Sequence, residues 1–171
     1  VCRWLRPKES KMTKKIIRLS FAVMVICEVF SQRLNGLDII EHPVSNYKPA
    51  DGRVIDKIII HATGGDDNIK PIEPYSLESI FNTWSNPIEQ RSAHYLITPD
   101  GTIYRCVEDK NIAWHAGVKK GHEKYEEYGK YNSESIGIEL QGNHSTNLNY
   151  MTDKMYSSLV GLVSEICQKY N

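Results

Sequence analysis

Six consecutive residues, Ser135-Ile-Gly-Ile-Glu-Leu140, alternate between an aliphatic side chain and a small or charged one. A period of two is the mark of a β-strand with unlike faces: Ile136, Ile138 and Leu140 point one way, Gly137 and Glu139 the other. Further on the period changes. Met155, Leu159, Leu162 and Ile166 recur at spacings of four, three and four, as one apolar stripe of a helix requires, and Thr152 stands where an N-cap is needed. A strand with one aliphatic face and a helix with one aliphatic stripe must bury those surfaces, most simply against each other. The fold class this dictates is α/β, a single mixed β-sheet flanked by helices.

The other segments fit that frame. Val54-Ile-Asp-Lys-Ile-Ile-Ile60 is a β-branched run that predicts a strand ending at His61, largely buried if it lies mid-sheet. Ala93 to Val107 reads as a hairpin whose arms flank Thr98-Pro-Asp-Gly101, with Pro and Gly at the second and fourth positions of a type I turn. Leu77, Ile80, Phe81 and Trp84 predict a short helix over 76–84. From Gly36 to Asp56, Pro43, Pro49 and the Asp51-Gly52 pair mark turns, and this stretch is expected to lead into the domain without joining its core.

Charge separates the ends of the chain. The total is 21 Lys+Arg against 21 Asp+Glu, but residues 1–35 carry eight basic and two acidic residues and the rest carries 13 and 19. A balanced whole with an acidic main part argues against a nucleic-acid partner, which a basic domain would serve. The basic part reads as a leader starting at Met12. Lys14, Lys15 and Arg18 precede the apolar run Leu19 to Cys27, the order of a secretory signal peptide. Arg18 and Glu28 bracket too short a run for a membrane-spanning helix, which needs about 20 apolar residues. Cleavage after Ser31, an uncleaved anchor associated with the membrane, lipidation at Cys27 and a buried N-terminal helix are the alternatives for this segment. The expected organisation is thus residues 1–35 as extension and leader and 36–171 as one domain, exported to the periplasm or cell envelope. Cys106 and Cys167 are expected to be buried free thiols.

Three places could carry chemistry. His61 ends a strand and is followed by Thr63, Gly64 and Gly65, so a ligand or metal can approach; it is either a metal ligand or a structural histidine. Glu139 lies opposite three aliphatics beside Gly137, and a carboxylate in a partly dry site can have its pKa raised into the range of a general base; the other reading is an exposed strand residue. Trp114 and His115, flanked by Ala113, Ala116 and Gly117, could form a rim that stacks a sugar or peptide. His94 is read as a core histidine, and His122 and His144 as solvated loop residues. His61, His94 and His115 together lack a close metal-ligand spacing such as His-Glu-x-x-His.

Taken in order, Ile58-Ile-Ile-His-Ala-Thr63, Ser92-Ala-His-Tyr-Leu-Ile97 with Asp100-Gly-Thr-Ile-Tyr104, Ala113-Trp-His-Ala-Gly117 and Ser135-Ile-Gly-Ile-Glu-Leu140 form a specific series of blocks. The series resembles the zinc-dependent bacterial N-acetylmuramoyl-L-alanine amidases, whose family includes phage lysozyme-type amidases and peptidoglycan recognition proteins. The third and fourth blocks look most like the branch that trims anhydro-muropeptides. What the resemblance implies is a Zn²⁺ enzyme in which His61 is the first metal ligand and Glu139 activates the attacking water. Trp114 and His115 would line the groove for peptidoglycan or a muropeptide. Relatives with a catalytic Tyr carry it just before the hairpin histidine; Ala93 stands there, in keeping with the base role of Glu139. The family's two other zinc ligands follow the last helix, so they are expected beyond Asn171, in a longer amidase. The alternatives are a non-catalytic peptidoglycan-binding module and an inactive remnant.

Overall fold

The computed structural model describes residues 36–65, 73–117, 125–142 and 150–170, with backbone alone over 125–129. The leader read over 1–35 lies outside the described residues, as do His122 and His144. Strands β1 (Ile39–Glu41), β2 (Tyr47–Lys48) and β3 (Lys57–Ala62) are followed by helix α1 (Leu77–Ser85). Strands β4 (Tyr95–Ile97), β5 (Ile103–Arg105) and β6 (Ile112–Ala113) precede α2 (Tyr125–Glu134), β7 (Ser135–Leu140) and α3 (Asp153–Tyr170). The main sheet runs β1-β5-β4-β7-β3, and β2 and β6 form a separate antiparallel pair. Only β4 and β5 are antiparallel neighbours within the main sheet; its other three pairings are parallel, so the sheet is mixed as expected.

The two periodicities meet as their sequences require. Ile136, Ile138 and Leu140 share one core with Tyr95, Ile97 and Ile103 and with the α3 stripe of Met155, Leu159, Leu162 and Ile166. Thr152 caps α3, its Oγ1 accepting from the Met155 N–H at 3.1 Å. The other sheet face packs Leu96, Ala93 and Cys106 against Ile80 and Trp84 of α1, with Leu77 and Phe81 at the edge of the same cluster. Ser76 caps α1 by accepting from the Ser79 N–H at 3.1 Å. The hairpin closes as read: the Gly101 N–H donates to Thr98 O at 2.9 Å. Gly101 has φ +88, and a Cβ there would stand 3.0 Å from Lys154 O of α3, so both the turn and the packing of the helix call for glycine.

Four expectations are corrected. The strand expected over 54–60 begins at Lys57 and continues through His61 to Ala62. It also lies at a sheet edge with β7 as its neighbour, so Ile60 is 47% exposed, not buried mid-sheet. Its lead-in residues are drawn toward the start of β7 instead, Arg53 donating to Asn132 O and Ser135 O and Asp56 N–H to Glu134 O. The 36–56 stretch does join the core: β1 pairs in parallel with β5 and Val44 is buried in the α1-side cluster. The turn residues that mark this stretch hide elements of two or three residues, too short to show a period. Cys106 is a buried free thiol as expected, whereas Cys167 is exposed because it falls next to the α3 stripe, not in it. Helix α2 was not foreseen, since Tyr125 to Glu134 carries no apolar stripe. Among the described residues no helix is long and apolar enough to cross a membrane.

Candidate active site

The site forms on the face of the sheet that β7 does not give to α3. Parallel pairing of β3 with β7 sets His61 directly beside Glu139, and β4 sets Leu96 on the other side of Glu139. Side chains of paired residues in a parallel ladder share a face, so the two sequence candidates are brought together by register alone. The strand ends beyond them are knit by Thr63 N–H to Leu140 O at 3.0 Å and Gly142 N–H to Thr63 Oγ1 at 3.1 Å.

Glu139 is held in a dry place. Its Oε2 is buried and has no hydrogen-bond partner among the described residues. Burial pushes the carboxyl up from its usual range to about 7, because desolvation disfavours the charged form and no nearby cation offsets it. Near neutral pH such a group exchanges a proton readily in both directions.

The segment after β6 delivers His115. Its N–H and that of Ala116 both donate to Asn132 Oδ1, at 3.1 and 2.8 Å, and Asn132 is buried in α2. His115 Nδ1 lies 3.2 Å from His61 Nε2, and its Nε2 lies 3.2 Å from Ser135 Oγ. The ring covers Gly137: a Cβ on that residue would come within 2.3 Å of the His115 Cγ. The sequence placed His115 with Trp114 on a groove wall; the structure seats its ring inside the site, with both nitrogens engaged. Burial first, then neighbouring His94, His61 and Arg53, push its imidazole down to about 3, so it is neutral. Burial likewise lowers His61. Trp114 is half-buried and tied to Ser92 by its N–H to Ser92 Oγ, at 3.0 Å.

His94 is the core histidine expected. It accepts the Gly137 N–H on Nδ1 at 3.0 Å and its Nε2 donates to Asn111 O at 3.1 Å, so neither nitrogen is free for a metal. Among the described residues no group of three or more His, Cys, Asp or Glu side chains could hold a metal ion. A catalytic Zn²⁺ takes three protein ligands and an open position; the described residues therefore supply His61 as one candidate ligand and do not complete a set. A cavity of about 420 Å³ lies elsewhere, lined by Arg53, Asp109, Lys169 and Tyr170, and touches none of His61, His115 or Glu139. Ser135 and Asn132 were missed by the sequence reading. The signal that could have led to them is Gly137 itself, since glycine inside a strand marks close approach of another group.

The sequence model for N-acetylmuramoyl-L-alanine amidase matches residues 51–171. The chain is 40% identical over 81 residues to a 1,6-anhydro-N-acetylmuramyl-L-alanine amidase, AmpD, of Haemophilus influenzae, covering 46% of this chain and 39% of that protein. It is 37% identical over 79 residues to AmpD of Enterobacter cloacae, covering 46% and 38%. The chain thus matches about two fifths of the length of these relatives. Among solved structures it is similar to the N-acetylmuramoyl-L-alanine amidase LysC from Clostridium intestinale, with TM-score 0.52 and 26% identity over 80% of this chain and 78% of that one. A selenomethionine derivative of AmpD shares the fold, with TM-score 0.56 and 24% identity over 80% and 78% of the two chains.

Proposed function

Since the chain belongs to the N-acetylmuramoyl-L-alanine amidase family, we propose that it hydrolyses the amide between N-acetylmuramic acid and the L-alanine of a peptidoglycan stem peptide. The observation that carries the reading is the pairing of His61 with Glu139 across β3 and β7, with Glu139 Oε2 buried and without a hydrogen-bond partner among the described residues. Glu139 takes a proton from the water that attacks the amide carbonyl and returns it to the alanine nitrogen as the carbon–nitrogen bond breaks. The 1,6-anhydro substrates named for the two AmpD relatives make a muropeptide the preferred form. Trp114, beside His115, stacks a sugar ring in this reading.

Zn²⁺ belongs to the proposal with His61 as ligand, and two further ligands come from outside the described residues. The metal would polarise the carbonyl and acidify water. Incubating the protein and Zn²⁺ with a purified muropeptide, and measuring the free L-alanine amine, tests the enzyme. Release of peptide is expected. A second reading is a peptidoglycan-binding module without catalysis, since the described residues alone do not form a three-ligand set; muropeptide binding by calorimetry with no amine released would establish it instead. Export through the leader from Met12 completes the proposal, and N-terminal sequencing of the exported protein is expected to begin at Gln32.

A further inference from the structure

The hydrogen bonds around His115 have a direction. Ser135 Oγ donates its one proton to Tyr131 O, so toward His115 it can only accept. The proton on the His115 ring is therefore on Nε2. A neutral imidazole with Nε2–H has its lone pair on Nδ1, and the group facing that lone pair at 3.2 Å is His61 Nε2. His61 Nε2 must then carry a proton and donate it, which leaves the His61 lone pair on Nδ1.

We propose that His115 is a positioning residue: seated on Gly137 and locked by Ser135, it accepts the Nε2–H of His61 and so fixes Nδ1 as the nitrogen that His61 presents to an electrophile. A side chain that orients a ligating histidine through its other ring nitrogen is a recognised way of fixing tautomer and angle. Three separate features hold the device in place. Gly137 leaves room that a methyl group would fill, Asn132 clamps two successive N–H groups of the His115 segment, and Arg53 in turn holds Asn132 O at 3.1 Å and Ser135 O. The inference rests on the reading of His61 as the ligating residue of an amidase, but its test needs neither metal nor turnover.

That test is the tautomeric state of each histidine in the metal-free, full-length, ¹⁵N-labelled protein, read from long-range ¹H–¹⁵N correlations at neutral pH. Both His61 and His115 are expected as Nε2–H tautomers. His115→Leu removes the acceptor and is expected to shift His61 to a mixture or to Nδ1–H, whereas His115→Asn, whose amide oxygen can replace Nδ1, is expected to keep His61 Nε2–H. Ser135→Ala is expected to loosen the preference of His115 and, through it, that of His61. His94 serves as the internal check on folding, because its Nε2–H contact with Asn111 O lies outside the relay. A wild-type His61 protonated on Nδ1, or one indifferent to His115→Leu while His94 keeps its signal, overturns the proposal. A muropeptide assay that finds no hydrolysis would count against the amidase reading and leave this result standing.

Discussion

The two faces of β7 are made of the same six residues and obey different rules. On the α3 side, Ile136, Ile138 and Leu140 are at most 1% exposed and lie in one hydrophobic cluster with Tyr95, Ile97 and the α3 stripe. On the other side, Ser135, Gly137 and Glu139 meet His115, His94 and His61. The first face is filled and satisfied. The second tolerates a buried carboxylate oxygen without a hydrogen-bond partner among the described residues, and a strand glycine with no side chain to pack. Stability and chemistry are thus separated by one residue of strand register, so that substitutions one position apart should have effects of different kind.

Ile138→Ala should show the packed face at its strongest. Removing a fully buried Ile costs about 2–5 kcal/mol, visible as a lowered urea midpoint with an unchanged slope, while the tautomer of His61 stays as in the wild type. A shift in that tautomer would break the separation of the faces. Glu139→Gln should do the opposite. The folded carboxyl, at about 7 against an ordinary 4.5, binds its proton more tightly than the unfolded chain does. Its favourable contribution is therefore present below pH 4.5 and is lost as pH rises through 7. That loss amounts to about 3 kcal/mol. Glu139→Gln should then match the wild type in urea at pH 4 and be the more stable at pH 8.

Gly137→Ala should fall between the two. The added methyl must push the His115 ring aside, an overpacking cost of about 1–3 kcal/mol, and the His61–His115 bond should disappear from the spectrum while α3 keeps its hydrogen-exchange protection. Thr152→Ala is the mildest, about 1 kcal/mol for loss of an N-cap. Its effect should appear in thermal melts and be confined to α3.

Much of the packed face is legible in the sequence. The β7 alternation, the α3 stripe with its Thr152 cap and the Thr98–Gly101 turn are local patterns, each set by a period or a turn position, and all appear where the sequence placed them. The site was legible in its members but not in its arrangement. His61 and Glu139 could be singled out from where they stand on their strands, yet that they are neighbours depends on the β3–β7 register, a long-range fact no local pattern encodes. The small residues flanking His115 suggest a groove wall, whereas its ring is seated inside the site on Gly137. The features that seat it, Ser135, Asn132 and the floor of Gly137, come from a segment of different sequence position and no apolar period. The edge position of β3 escaped for the same reason: a β-branched run reports buried area, and Ile60 shows that it does not report which side of the sheet is left open.

The base role of Glu139 is tested by comparing wild type with Glu139→Gln for release of the L-alanine amine from a muropeptide, with Zn²⁺ supplied and folding verified at the assay pH. Turnover is expected from the wild type, with a loss of about 10²–10⁴-fold in the variant, the usual worth of a general acid–base group. Equal turnover by the two proteins would contradict it.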